Sequence, residues 1–102
     1  MNHPISILLD ELEAALRAQG AWQDAAPSEQ DLRSQQPFAV DTLAPEQWLQ
    51  WIFIPKIKYL IATNTTLPSG FEMKPYFEQV WNQQPGMQSV IDIVGRIDRE
   101  CT

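Results

Sequence analysis

Residues 45–61 read Pro-Glu-Gln-Trp-Leu-Gln-Trp-Ile-Phe-Ile-Pro-Lys-Ile-Lys-Tyr-Leu-Ile, and the fold turns on how this stretch is taken. Pro45 suits the first position of a helix, where a missing N–H loses no partner, and Glu46 lies at the positive end of the helix dipole. Trp48, Ile52 and Tyr59 fall on one side; Leu49, Phe53 and Leu60 form a second stripe, and Ile54, Ile57 and Ile61 a third. A helix apolar on nearly all sides is either enclosed by its neighbours or keeps a face for a partner. Pro55 sits in its interior, removes one backbone hydrogen bond and crowds the Trp51 carbonyl. The sequence therefore predicts a kink there, at an intrinsic cost of about 3 kcal/mol relative to alanine.

Towards the N-terminus, Ile5, Leu8, Leu9, Leu12, Ala15 and Leu16 recur at helical spacing, with Asp10, Glu11, Glu13 and Arg17 on the other face. This predicts an amphipathic helix over 5–19, stopped by Gly20, with Trp22 folding back over its end. Pro27-Ser28 ahead of Asp31 predicts a capped helical turn running to Arg33. Ser34 to Thr42 has no helical period, and Pro37 biases Gln36 towards extended backbone, so an ordered loop pinned by Phe38 and Val40 is expected. Asp41 and Thr42 are expected to cap the central helix and close this loop onto it.

Towards the C-terminus, residues 62–70 are a turn-rich connection. A third helix is expected from Pro75, carrying Tyr76, Phe77, Val80 and Trp81, and ending before Pro85-Gly86. A last helix over 87–99 places Met87, Val90, Ile91, Val94 and Ile97 at core spacing. The expected architecture is all-α: one domain over residues 1–102, a small bundle of about four helices with an ordered loop before a kinked central helix.

The composition agrees with a folded chain. Of 102 residues 44% are hydrophobic, and four of the ten aromatics are tryptophan. The formal charge of −6 lies entirely in residues 1–46, which hold eight acids and two arginines; the remainder balances. Such a chain repels phosphate backbones, so direct nucleic-acid binding is not expected, whereas a basic protein partner is favoured. Cys101 is the only cysteine, which excludes an internal disulfide and a cysteine-based zinc site. No apolar run is long enough for a membrane span, and the acidic N-terminal helix is no secretory signal, so a cytoplasmic protein is expected.

No catalytic or metal-binding set can be assembled, and no cofactor is implied. His3 is the only histidine and is expected in a frayed end. The four glycines are scattered and form no phosphate loop. Asp10, Glu11 and Glu13 lie on a solvated helix face, unlike the perturbed group in a pocket that acid–base work requires. Gly95-Arg96-Ile97-Asp98-Arg99 is similar to the catalytic aspartate segment of one class of pseudouridine synthases. It runs on into Glu100-Cys101-Thr102 where those enzymes have Thr-Ser-Gly, so it is read as a helix end with Ile97 in the core and Asp98 and Arg99 outside. A non-enzyme is expected.

Between Gln36 and Lys56 the order Pro-Phe, Asp-Thr, Pro-x-x-Trp-Leu-Gln-Trp and Ile-Pro-Lys resembles the YqcC-like family of small bacterial proteins. The helix ending near Trp22 and the segment from Leu67-Pro68 to Pro75-Tyr76 agree with it. The resemblance implies a small helical protein without an established activity, associated by name with tRNA pseudouridine synthase C. It assigns no functional residues.

From the residues themselves, the expected function is a non-catalytic interaction or accessory protein. Its aromatic anchors are Phe38, Trp48 and Trp51, with Asp41 and Thr42 beside them. Its partner would be a basic protein such as an RNA-modifying enzyme, or a second copy in a homodimer. The alternative is a small-molecule binding domain, with an apolar gap at the Pro55 kink lined by aromatics and the Asp41-Thr42 pair.

Overall fold

The computed structural model describes residues 4–67 and 72–100, with Pro37 described by its backbone alone. His3, Pro68, Cys101 and Thr102, named above, lie outside the described residues. Among the described residues five helices follow one another: α1 (Pro4–Ala18), the single turn α2 (Glu29–Leu32), the long α3 running from Pro45 to Ala62, α4 (Lys74–Val80) and α5 (Gln88–Glu100). Short 3₁₀ turns at Pro37–Ala39 and Pro85–Met87 precede α3 and α5. Among the described residues there is no strand, and no helix is long and apolar enough to cross a membrane.

α1 forms as its pattern predicts, burying Ile5, Leu8, Leu9, Leu12 and Leu16. Gly20 takes φ +70° beyond its end, which lets the Ala21 amide reach the Leu16 carbonyl at 2.9 Å. Trp22 does fold back, with the Arg17 guanidinium 4.9 Å from its ring centroid. Ser28 caps α2 by accepting from the Asp31 amide at 3.1 Å.

In α3 the expected distortion at Pro55 takes a definite form. Leu49–Phe53 wind as one π turn, and the Ile54 amide bonds back to the Leu49 carbonyl five residues away. The widened turn lies just before the proline, where a regular ladder would have lost a donor and met the ring. α3 buries Leu49, Gln50, Phe53, Ile54 and Ile57. It ends at Asn64, whose φ of +54° permits the Thr65 amide to close on the Leu60 carbonyl at 2.9 Å.

α1 and α5 make the most extensive helix pair, and α4 packs on α5. α5 buries Val90, Ile91, Val94 and Ile97, with Met87 buried just before it. One core cluster joins these residues to Leu49, Phe53, Ile54 and Ile57 of α3 and to Met73, Phe77 and Trp81 around α4.

In α4 Val80 is exposed, while Phe77 and, just past the helix end, Trp81 are buried. One expectation is corrected. Asp98 is buried rather than on the outer face. Its carboxylate accepts from the Met73 amide at 3.0 and 2.9 Å and from the Lys74 amide at 2.8 Å, capping α4 from a neighbouring helix. Gly95 lies one turn earlier, where a Cβ would come within 2.8 Å of the Lys74 side chain. The absence of a side chain there lets the lysine stem cross α5.

Candidate functional site

The loop before α3 and the first turns of that helix hold the five residues proposed from sequence; Phe38, Trp48 and Trp51 fall in two groups, and Asp41 and Thr42 in neither. The first is aromatic. Phe38 stands in left-handed backbone (φ +56°), and so does Ala39 (φ +49°). For non-glycine residues this costs roughly 1–2 kcal/mol each. The ring of Phe38 lies stacked on Tyr76 (centroids 4.1 Å apart, planes within 4°), edge-on to Trp48 at 4.9 Å and edge-on to Phe77 at 5.8 Å. At about 0.5–1.5 kcal/mol per aromatic pair, three partners offset the backbone strain. Trp48 continues the cluster onto Phe53 at 5.5 Å. Phe38, Trp48 and Tyr76 are all half-buried, so the cluster is closed inside by Phe77 and reaches the surface at its outer edge.

The second group is an amide clasp. Gln50, buried on α3, accepts from the Gln23 amide at 2.8 Å and donates through Nε2 to the Gln23 carbonyl at 2.6 Å. One glutamine side chain thus satisfies the backbone donor and acceptor of a distant residue, as a neighbouring strand would. The Gln23 side chain returns the contact: its Oε1 accepts from Gln47 Nε2 at 3.2 Å and from the Trp51 indole N–H at 3.3 Å. Trp51 is half-buried and holds the 21–23 segment against α3.

Asp41 and Thr42 do not cap α3. The helix starts at Ala44, which has no acceptor side chain; Gln47 Oε1 accepts from the Ala44 amide at 2.7 Å instead. Thr42 Oγ1 donates to the Asp31 carbonyl at 2.7 Å, and Asp41 accepts from the Ser34 hydroxyl, so the pair ties the loop to α2 and to itself. Val40 does not pin the loop, being 53% exposed; its neighbour Ala39 is buried in its place. The left-handed pair reverses the chain so that Phe38 and Ala39 face inward and Val40 outward.

The electrostatics of this end are acidic. Residues 24–46 carry five acids, Asp24, Glu29, Asp31, Asp41 and Glu46, and one arginine, Arg33, which lies 3.5 Å from Glu29. Burial pushes the Tyr76 phenol above its ordinary value, and the Glu46 carboxylate pushes it further the same way. Among the described residues no three His, Cys, Asp or Glu side chains are grouped to hold a metal ion. Two open grooves lie elsewhere. One runs between Ile7 of α1 and Arg96 and Arg99 of α5, the other along Trp81, Gln84 and Gln88. Neither is lined by Pro55, Asp41 or Thr42.

Sequence reasoning missed Gln23, Gln50 and Tyr76. Gln50 carried a signal, as an uncharged polar residue inside an almost wholly apolar run that must bond if it is buried. Tyr76 carried none, because its partner Phe38 lies far away in sequence.

Residues 4–100 match the DUF446 family, described as "tRNA pseudouridine synthase C". The chain belongs to this family. Its relatives include an uncharacterised protein of Haemophilus influenzae, 30% identical over 83 residues, which are 81% of this chain and 78% of that one. The uncharacterised protein YqcC of Escherichia coli is 38% identical over 74 residues, 72% of this chain and 68% of its own. The fold agrees as well: the solution NMR structure of E. coli YqcC superposes with a TM-score of 0.81 at 32% identity, over 91% of this chain and 80% of that one. A third relative differs in size. In the tRNA pseudouridine synthase C of Pectobacterium carotovorum, 63 residues that are 42% identical cover 62% of this chain but only 17% of that protein.

Proposed function

We propose that this chain is a non-catalytic, cytoplasmic interaction module that assists a tRNA pseudouridine synthase, docking through the loop at 34–42 and the first turns of α3. The observation that carries the reading is the Pectobacterium relative, in which a segment like this one is a small part of a much longer protein named tRNA pseudouridine synthase C. A covalent link holds two modules at high effective concentration; where the module is a separate chain, a complementary surface must replace the link. The acidic, half-exposed aromatic end supplies such a surface. Aromatic side chains dominate interface energetics, and an enzyme that binds RNA presents basic residues to meet it.

The test is co-purification of the tagged chain with the synthase of the same organism. Co-elution is expected at about 50 mM salt and its loss at about 500 mM, since screening weakens charge-driven contacts. An Asp41→Lys, Glu46→Lys double variant that keeps its melting temperature is expected to lose the partner at low salt. No co-elution at low salt overturns the association. Equal capture by wild type and double variant overturns the docking surface.

A further inference from the structure

Among the described residues, the C-terminal half of α3 carries an exposed face. Pro55, Lys56, Lys58, Tyr59 and Ala62 are all exposed. At about 100° per residue they share one arc of roughly 160°, with Tyr59 lying between the two lysines. Tyr59 is 66% exposed, the most open of the large hydrophobic side chains described. Between Glu46 and Glu72 the sequence has no acid, and Lys56 and Lys58 are its only charges. The ion pairs seen among the described residues, Arg17–Glu13, Arg33–Glu29 and Arg96–Glu11, engage neither lysine. A protein of formal charge −6 thus concentrates two unpaired cations around an open aromatic ring.

From this we infer that this face is a contact for single-stranded RNA, with the Tyr59 ring stacking on a base and the Lys56 and Lys58 ammonium groups meeting flanking phosphates. Every base offers a π-face, so one ring and two cations give a contact tolerant of sequence. The choice of RNA among polyanions rests on the proposed link to tRNA modification. The geometry of ring and lysines does not. Two phosphates are few, and the acidic N-terminal half opposes approach, so the chain alone binds weakly. Held on an enzyme that already carries RNA, the same contact becomes intramolecular and gains accordingly.

The experiment is an NMR titration of the full chain with an unstructured RNA of about ten nucleotides at about 20 mM salt. Amide shifts centred on residues 55–62 and movement of the Tyr59 ring resonances are expected. Raising the salt tenfold should weaken binding about 25-fold, the response for two phosphate contacts to a single strand. Tyr59→Ala, a change at an exposed ring, should weaken it at least about fivefold. The double variant K56E/K58E should abolish it while both variants keep the wild-type melting temperature. The contact is overturned by absent shifts, by shifts centred on the 34–42 loop, or by undiminished binding of K56E/K58E. It is also overturned if inorganic polyphosphate or an acidic peptide moves the Tyr59 ring as far as RNA does. No synthase is present, so the result is independent of co-purification. A positive titration without co-purification leaves the contact standing and removes the association; the reverse removes the contact.

Discussion

The two ends of this molecule are built by different chemistry. Where α1 meets α5, Leu9, Leu12, Leu16, Val90, Val94 and Ile97 are all wholly buried, and every one is aliphatic. At the other end Phe38, Trp48, Trp51 and Tyr76 are half-buried, and the segments are held by a glutamine clasp and stacked rings on strained backbone. Aliphatic contact is non-directional and scales with the area removed from water, so the seam supplies stability and tolerates small shifts. Hydrogen bonds and ring stacking are directional, so the aromatic end fixes one arrangement of residues that are otherwise loop. The difference assigns stability to the seam and a fixed side-chain arrangement to the aromatic end.

The strongest way to break this comparison is at the seam. Leu12→Ala removes a wholly buried side chain of α1 and should cost about 3–5 kcal/mol, from the lost burial together with a cavity that closely packed helices cannot close. A domain of this size has roughly 5–15 kcal/mol in total, so urea unfolding should show a large fall in midpoint. A fall of less than about 1 kcal/mol would mean that the seam is not the stabilising region.

A smaller effect is expected at the clasp. Gln50→Ala strands both the amide and the carbonyl of Gln23, and unsatisfied groups of this kind cost about 1–3 kcal/mol together with the lost bonds. The loss should be local. Hydrogen exchange at the Gln23 amide should quicken, while amides of α1 and α5 change only with global stability. If exchange quickens equally in α1, the two ends form one cooperative unit and the comparison is wrong.

The seam was legible in the sequence and the aromatic end only partly so. α1 and α5 carry their own period, so Leu12 and Val94 are placed in the core by local pattern alone. Pro45, Gly20 and Ser28 announce their turns by backbone chemistry that needs no partner. Phe38 was rightly expected to pin the loop, but its left-handed backbone was not legible, since Phe is a poor candidate for φ above zero and only the contacts with Tyr76, Trp48 and Phe77 make it tenable. Val40 was misplaced for the same reason: the reversal at Phe38 and Ala39 exchanges inside and outside. Asp98 was misread because helical spacing places it beside Ile97 on a face that α5 alone would leave to solvent. The amides of Met73 and Lys74 that it caps belong to another helix. Across the chain, what depended on residues near in sequence was readable, and what depended on distant donors and rings was not.

The smallest effect sharpens the comparison by separating ring from hydroxyl at Tyr76. Burial first, and Glu46 second, raise the phenol above its ordinary value of about 10. The folded state therefore holds this proton more tightly than the unfolded chain. The resulting stability is fully present below about pH 10 and is lost as pH rises through the folded value. Tyr76→Phe keeps the stacked ring and should change stability at neutral pH by less than about 0.5 kcal/mol, the usual limit away from core and capping features. Above about pH 10 the wild type should lose melting temperature more steeply than the variant. Parallel melting curves across that range would show that the phenol is not shielded and that the Phe38–Tyr76 stack is open to water. Glu46→Gln should flatten the alkaline loss less than Tyr76→Phe does, because burial is the larger cause and the ring stays half-buried when the carboxylate is gone.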